Sequence, residues 1–256
     1  MPNFAANLSM MFNEVEFLDR FKAAADQGFK GVEFLFPYDF EAAELKARLE
    51  DNGLTQALFN LPPGDWAAGE RGFAAIPGRQ ADFEAALEKA LSYAETIGNE
   101  LLHCMSGMVP DGVDRDACTD TLIANLKKAA PIAASAGKTL IIEPINTRDM
   151  PGYFLNYQGQ AREILEAVDE PNVRLQFDFY HVQIMEGSLA VRFEEHLDLI
   201  RHVQIAGVPG RFEPNVGEIN YPFLFDRMDE LGYTGWVGCE YKPKGDTVDG
   251  LGWFKG

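Results

Sequence analysis

Glu143, Asp178, Gln204 and Glu240 each close a short apolar run, and all four carry oxygen that could bind a cation or move a proton. In Thr139 to Asn146, TLIIEPIN, β-branched residues lead to a carboxylate and then a proline. Side chains alternate along a strand, so Glu143 points where Ile141 points, and Pro144, which cannot donate to a ladder, marks the strand end. By the same parity Asp178 shares a face with Gln176, Gln204 with His202, and Glu240 with Gly238. Leu175, Phe177, Val203, Ile205 and Val237 take the opposite face. Any one of these groups is explained as a strand-end residue bonded to loop backbone. Three carboxylates and an amide on neighbouring strands, about 4.8 Å apart, are harder to bury without a cation. Oxygen ligation suits a hard divalent ion, Mg²⁺ or Mn²⁺, and four protein ligands leave two octahedral positions for water or substrate.

Other residues have the chemistry to hold a substrate. His181 lies three residues beyond Asp178, where the chain leaves the strand, and its ring can face the same mouth. Arg211 follows the next strand in VPGRFEP, while Arg71 and Arg79 belong to PPGDWAAGERGFAAIPGR. Each guanidinium offers a planar fork suited to a carboxylate. The loop from Pro62 to Gly78 is long beside its counterparts, and such loops often act as lids. Phe12, Phe36, Phe59 and Trp66 are candidates for the pocket wall; Glu186 and Glu218 read as ordinary loop acids.

The elements that must position these groups alternate regularly. Strands are expected at Phe4–Leu8, Val32–Phe36, Leu54–Leu61, Leu101–Met105, Thr139–Glu143, Val173–Asp178, His202–Ala206 and Trp236–Glu240. Helices are expected between them at Glu14–Gln27, Phe40–Asn52, Gln80–Ile97, Asp116–Ala136, Gly159–Val168, Leu189–Leu199 and Pro222–Leu231, with a stub in the tail. Glycines 28, 53, 98, 137 and 232 stop five of the helices. Eight strands alternating with helices, with no linker-like shift in composition, predict a single (β/α)₈ barrel domain over residues 1–256. In such a barrel the chemistry sits at the C-terminal strand ends, where the four oxygen-bearing residues fall.

Composition narrows the partners. Forty acidic residues against 22 basic ones give a net charge of −18, which repels polyphosphate backbones and anionic membranes. An anionic small molecule then needs local Arg, Lys or metal charge. Three cysteines without metal-type spacing fit a reduced cytoplasm, and neither an N-terminal targeting pattern nor a long apolar run is evident. A homo-oligomer is compatible with this composition.

FAANLSMMF, GVEFLFPYDF, NLPPGDWAAGERGFAAIPGR, LIIEPIN, FDFYHVQIMEG, HVQIAGVPGR, EPNVGEIN and GWVGCEYKP resemble the hydroxypyruvate isomerase family of xylose-isomerase-like barrels, from about Phe4 to Lys242. The GDWAAGERG loop is the most specific of these segments. The resemblance implies one divalent ion on Glu143, Asp178, Gln204 and Glu240, with Glu143 and Glu240 also the acid/base pair. It implies interconversion of hydroxypyruvate and tartronate semialdehyde through an enediolate, His181 and one of Arg71, Arg79 and Arg211 holding the 2-oxo or 2-hydroxy acid. There are two departures. Sugar epimerases of the superfamily tend to have His where Gln204 stands, and some hydroxypyruvate isomerases have His where Phe59 stands. Relatives acting on 2-oxo-tetronate share most of the segments, so that activity and sugar epimerisation are the alternatives. Of other classes, a non-catalytic metal- or ligand-binding barrel stays open, whereas a metal-dependent nuclease would want more than four histidines and less negative charge.

Overall fold

A computed structural model describes residues 1–255. Eight parallel strands, β1 (Asn3–Asn7), β2 (Gly31–Glu33), β3 (Thr55–Asn60), β4 (Leu101–His103), β5 (Thr139–Ile142), β6 (Val173–Asp178), β7 (Ile200–Ile205) and β8 (Trp236–Cys239), form a closed barrel in sequence order. β1 pairs with both β2 and β8, so the ring has no free edge. Around it run α1 (Arg20–Asp26), α2 (Ala42–Asn52), α3 (Gln80–Ile97), α4 (Arg115–Ser135), α5 (Gln158–Val168), α6 (Phe179–Met185), α7 (Leu189–His196) and α8 (Tyr221–Glu230); α9 (Gly252–Lys255) is the stub.

Local sequence accounts for most boundaries. In α3, Phe83, Ala86, Leu87, Ala90, Ala94 and Ile97 recur at helical spacing and are all buried. Gly98 then takes φ 89°, and Gly53 after α2 takes φ 62°, a left-handed conformation that glycine adopts without strain. The first helix is shorter than its apolar pattern suggests. Glu14 accepts from the backbone and hydroxyl of Thr247, and Arg20 donates to Leu8 and Val15, so tertiary contacts hold residues 14–16 out of the helix. A 3₁₀ turn at Phe17–Asp19 follows instead. Among the helices the other departure is α6, in the segment read as a loop after β6, and β2 and β4 end three and two residues earlier than expected.

Strand parity divides the barrel. Leu102, Leu140, Ile142, Leu175, Phe177, Val203, Ile205 and Val237 are buried on the helix side, where each Leu- or Phe-sized side chain contributes roughly 1.5–3 kcal/mol. Inside, Leu58, Leu101 and Ile141 form a small apolar cluster. One step further toward the C-terminal ends, the interior becomes polar with Asn7, Glu33, Asn60, His103, Gln176, Asp178, His202 and Gln204, all buried. Such a layer is costly unless each group has a partner. Among the described residues no helix is long and apolar enough to cross a membrane.

Candidate active site

Asp178 ends β6 and caps α6. Its Oδ1 accepts from the Tyr180 backbone N–H at 2.8 Å, while Oδ2 is buried without a hydrogen-bond partner. Glu143, just beyond β5, likewise has an unpartnered buried Oε1. Burial pushes Asp178 up to about 6, although Arg211 pulls the other way. Burial also raises Glu143 well above the carboxylate range, and the charges of Glu240 and Asp178 add to the shift. Ligand atoms of Glu143, Asp178 and His181 lie within 4.8 Å of one another.

His181 is part of this group in geometry but differs in hydrogen bonding. The Asn146 backbone N–H points at its Nδ1 at 3.3 Å, and the Asn146 side-chain amide approaches the same nitrogen at 2.6 Å. A nitrogen that accepts a backbone N–H carries no proton, so in the neutral ring Nε2 bears it. Burial depresses the His181 pKa well below its ordinary value, which keeps the ring neutral. Its Nε2–H, 3.5 Å from Asp178 Oδ2 and 3.9 Å from Glu143 Oε1, is thus a donor to an oxygen rather than a metal ligand.

Gln204 accepts from Gln176 Nε2 at 2.5 Å and donates to Glu33 Oε1 at 2.8 Å. Its amide oxygen keeps a second lone pair. Glu33, at the tip of β2, also meets His202 Nε2 at 2.7 Å and the Asn7 amide at 2.9 Å, which anchors the polar layer under Gln204. Room for Glu33 depends on Gly238, because a Cβ there would stand 2.2 Å from Glu33 Oε2. Glu33 escaped the sequence reading because GVEFLF looks like one apolar strand, yet its parity with Gly31 was available. His103, Asn60 and Asn7 escaped for the same reason, each being a polar residue at a strand end that comes earlier than expected.

Glu240 is held by Arg211, whose guanidinium hydrogen-bonds Oε2 while Nε reaches the Glu240 carbonyl at 3.3 Å. Arg211 also lies 3.9 Å from Asp178 Oδ2 and 4.8 Å over the Tyr180 ring. Its backbone has φ 56°, a strained choice for a non-glycine residue. Burial raises Glu240 to about 8 despite Arg211.

Glu143, Glu240, His181, His103, Asn60, Gln176 and Arg211 face one cavity of about 130 Å³, closed by Phe36, Trp66, Met105, Ile145 and Met150 among others. Arg71 and Arg79 stand elsewhere. Arg71 stacks on Trp66 at 3.6 Å and donates to the carbonyls of Trp66 and Glu70. Arg79 is paired with Glu70 and Asp82. Neither lines the cavity: the loop spends both guanidiniums on its own conformation, and Trp66 is what it presents to the mouth. Phe12 and Phe59 are core residues, Phe59 packing against Phe34 and Tyr38.

Residues 21–256 match the family model described as the xylose isomerase-like TIM barrel. Over 255 residues the chain is 60% identical to the 2-oxo-tetronate isomerase of Cupriavidus necator, covering 100% of this chain and 98% of that one. It is 47% identical over 254 residues to the hydroxypyruvate isomerase of Escherichia coli K12, with coverages of 99% and 98%. A solved structure described as an AP endonuclease, family 2, from Brucella melitensis superposes with a TM-score of 0.98 at 54% identity, covering 100% of this chain and 98% of that one.

Proposed function

This chain belongs to the xylose isomerase-like TIM-barrel family and is an isomerase, and we propose that it exchanges the carbonyl and the neighbouring hydroxyl of a short 2-oxo acid. Hydroxypyruvate, giving tartronate semialdehyde, and 2-oxo-tetronate are the three- and four-carbon forms of that substrate. The observation that carries the reading is a pair of buried carboxylates, Glu143 and Glu240, facing one small cavity beside the partly buried guanidinium of Arg211. β5 and β8 are not neighbours in the ring, so the two acids approach a bound molecule from different sides.

One of the two glutamates takes the proton from the hydroxyl-bearing carbon. The C–H electron pair becomes the carbon–carbon double bond of an enediolate, and the carbonyl π pair moves onto oxygen. The other glutamate delivers a proton to the former carbonyl carbon, while the original hydroxyl passes its proton to the former carbonyl oxygen, so that the first becomes the new carbonyl and the second the new hydroxyl. Arg211 has donors enough for Glu240 and for a substrate carboxylate. His181 donates Nε2–H to a substrate oxygen, and Trp66, Phe36, Met105 and Ile145 limit water at the reacting carbons.

A divalent ion fits the donor set. The unpartnered Oε1 of Glu143 and Oδ2 of Asp178, and carboxylate pKa values raised in its absence, are what a hard cation would relieve. Glu143, Asp178, Gln204 and Glu240 would hold Mg²⁺ or Mn²⁺, which when bound supplies Lewis-acid stabilisation of the enediolate oxygens. A nuclease reading, suggested by the description of the Brucella structure, would bring a phosphodiester to three buried carboxylates, Glu143, Asp178 and Glu240, in a chain of net charge −18.

Proton NMR of the reaction in D₂O, with Mg²⁺ or Mn²⁺, is the test. Deuterium should appear at the newly protonated carbon, because a carboxylate proton is readily lost to water. Complete retention of the original hydrogen together with appreciable turnover by Glu143→Gln or Glu240→Gln would defeat the two-glutamate scheme.

A further inference from the structure

Two histidines flank Glu143, His103 with Nε2 at 3.8 Å from Oε2 and His181 with Nε2 at 3.9 Å from Oε1. Their hydrogen bonding is opposite. His181 offers a proton from Nε2, as its contact with Asn146 requires. His103 turns Nδ1 toward the side-chain oxygen of Asn60 at 3.3 Å, which puts the proton on Nδ1 and leaves Nε2 a bare lone pair. That lone pair is buried and has no hydrogen-bond partner, and the ring is only 2% exposed. Glu143 cannot satisfy it, since 3.8 Å is beyond hydrogen-bonding reach. An acceptor left unmet in a cavity wall calls for a donor on whatever fills the cavity.

Position says which donor. β4, which carries His103, stands four strands from β8 in the ring of eight, directly across the mouth from Glu240 and the Arg211 that grips it. An acid whose carboxylate lies at Arg211 extends its far end toward His103 and Asn60. In hydroxypyruvate the one hydroxyl belongs to the reacting carbon pair. A four-carbon acid has a further hydroxyl, on the terminal carbon, to spare. The longer acid fills the cavity of about 130 Å³ more completely than the three-carbon one.

Resting on the isomerase reading above, we propose that His103 Nε2 accepts a hydrogen bond from the terminal hydroxyl of a four-carbon 2-oxo acid and thereby selects it. His103 is then the specificity-determining residue of the site, with Asn60 fixing its tautomer. The test compares 2-oxo-tetronate with its 4-deoxy analogue as substrates of the metal-loaded enzyme. Wild type should favour the 4-hydroxy acid in kcat/KM by about 10- to 100-fold, the worth of leaving a buried acceptor unmet. His103→Leu should bring that ratio close to one, whatever loss both acids share. His103→Gln, with an amide oxygen of similar reach, should recover part of it. Equal use of the two acids by wild type, a measurement that needs no variant to fold, would overturn the proposal. So would a wild-type ratio surviving in His103→Leu. Wild type inert toward both acids and toward hydroxypyruvate would instead remove the isomerase reading and the proposal with it.

Discussion

Arg211 lies between two carboxylates, Glu240 and Asp178, whose ionised forms it favours against burial, and its substitution separates charge from shape. Lysine retains the charge but not the fork that binds Glu240 while leaving donors for an incoming carboxylate. Arg211→Lys should therefore cost at least about 100-fold in kcat/KM for a 2-oxo acid. Steady-state kinetics within about threefold of wild type would show that the carboxylate binds elsewhere. Asp178 gives a sharper separation, because Oδ1 caps α6 and Oδ2 is free. Asp178→Asn keeps an oxygen for the cap; Asp178→Ala loses it, at a cost of about 1 kcal/mol. Both should lose divalent-ion binding and turnover, and only the alanine variant should melt noticeably lower without metal. Metal content by elemental analysis and thermal melts check the two halves, and undiminished metal binding in either variant would count against the assignment. The four oxygen-bearing candidates were legible from strand parity, which turns each of them toward the interior at or near a strand end. His103 and Glu33 were not, because the apolar residues after them extend the run and conceal the strand end.

At the scale of elements, the loop from Pro62 to Gly78 shows how composition can mislead about role. Its Arg71 and the adjoining Arg79 suggested an anion clamp, yet the first stacks on Trp66 and the second pairs with Glu70 and Asp82. Trp66, 40% exposed and tilted against Phe36, is the residue that reaches the cavity. Arg79→Ala should leave kcat/KM within about twofold, since exposed ion pairs contribute about 0–1 kcal/mol. Trp66→Ala should reduce it by about 10-fold or more by opening the mouth to water. If Arg79→Ala proves the more damaging, the loop closes in another way. Helix α6 was missed because seven residues starting at FYH have too few turns to show a period. Helices α2 and α3 were found to within two residues because each ends in a left-handed glycine.

For the whole molecule, the barrel was readable from strand–helix alternation, whereas the polar layer inside it was only half readable: partners meeting across the barrel leave no mark in local sequence. That layer links stability to pH. Glu240, raised to about 8 from an ordinary 4.5, binds a proton more tightly folded than unfolded, so its contribution is present at low pH and lost as pH climbs toward 8. Glu143 has the same sign. His103, lowered to about 3, and His181 act oppositely, but only below about 6.5, where the unfolded rings charge. In EDTA, Tm should therefore fall between about pH 6.5 and 8, and saturating Mg²⁺ or Mn²⁺ should flatten or reverse the slope by binding the ionised acids. A Tm that rises across that interval in EDTA would contradict this account.

Gly238 and Glu33 sit on strands separated only by β1, and the space one leaves empty is the space the other fills. Their histories are consequently tied. A methyl group at 238 would push the carboxylate off His202 and Gln204, and shortening Glu33 would leave both unanswered; each change alone should be damaging. Made together, Gly238→Ala and Glu33→Asp should cost less than the sum of their separate effects, the signature of two positions in direct contact. A lineage can cross from one pairing to the other only through a damaged intermediate, so the floor of this barrel should drift far more slowly than its loops.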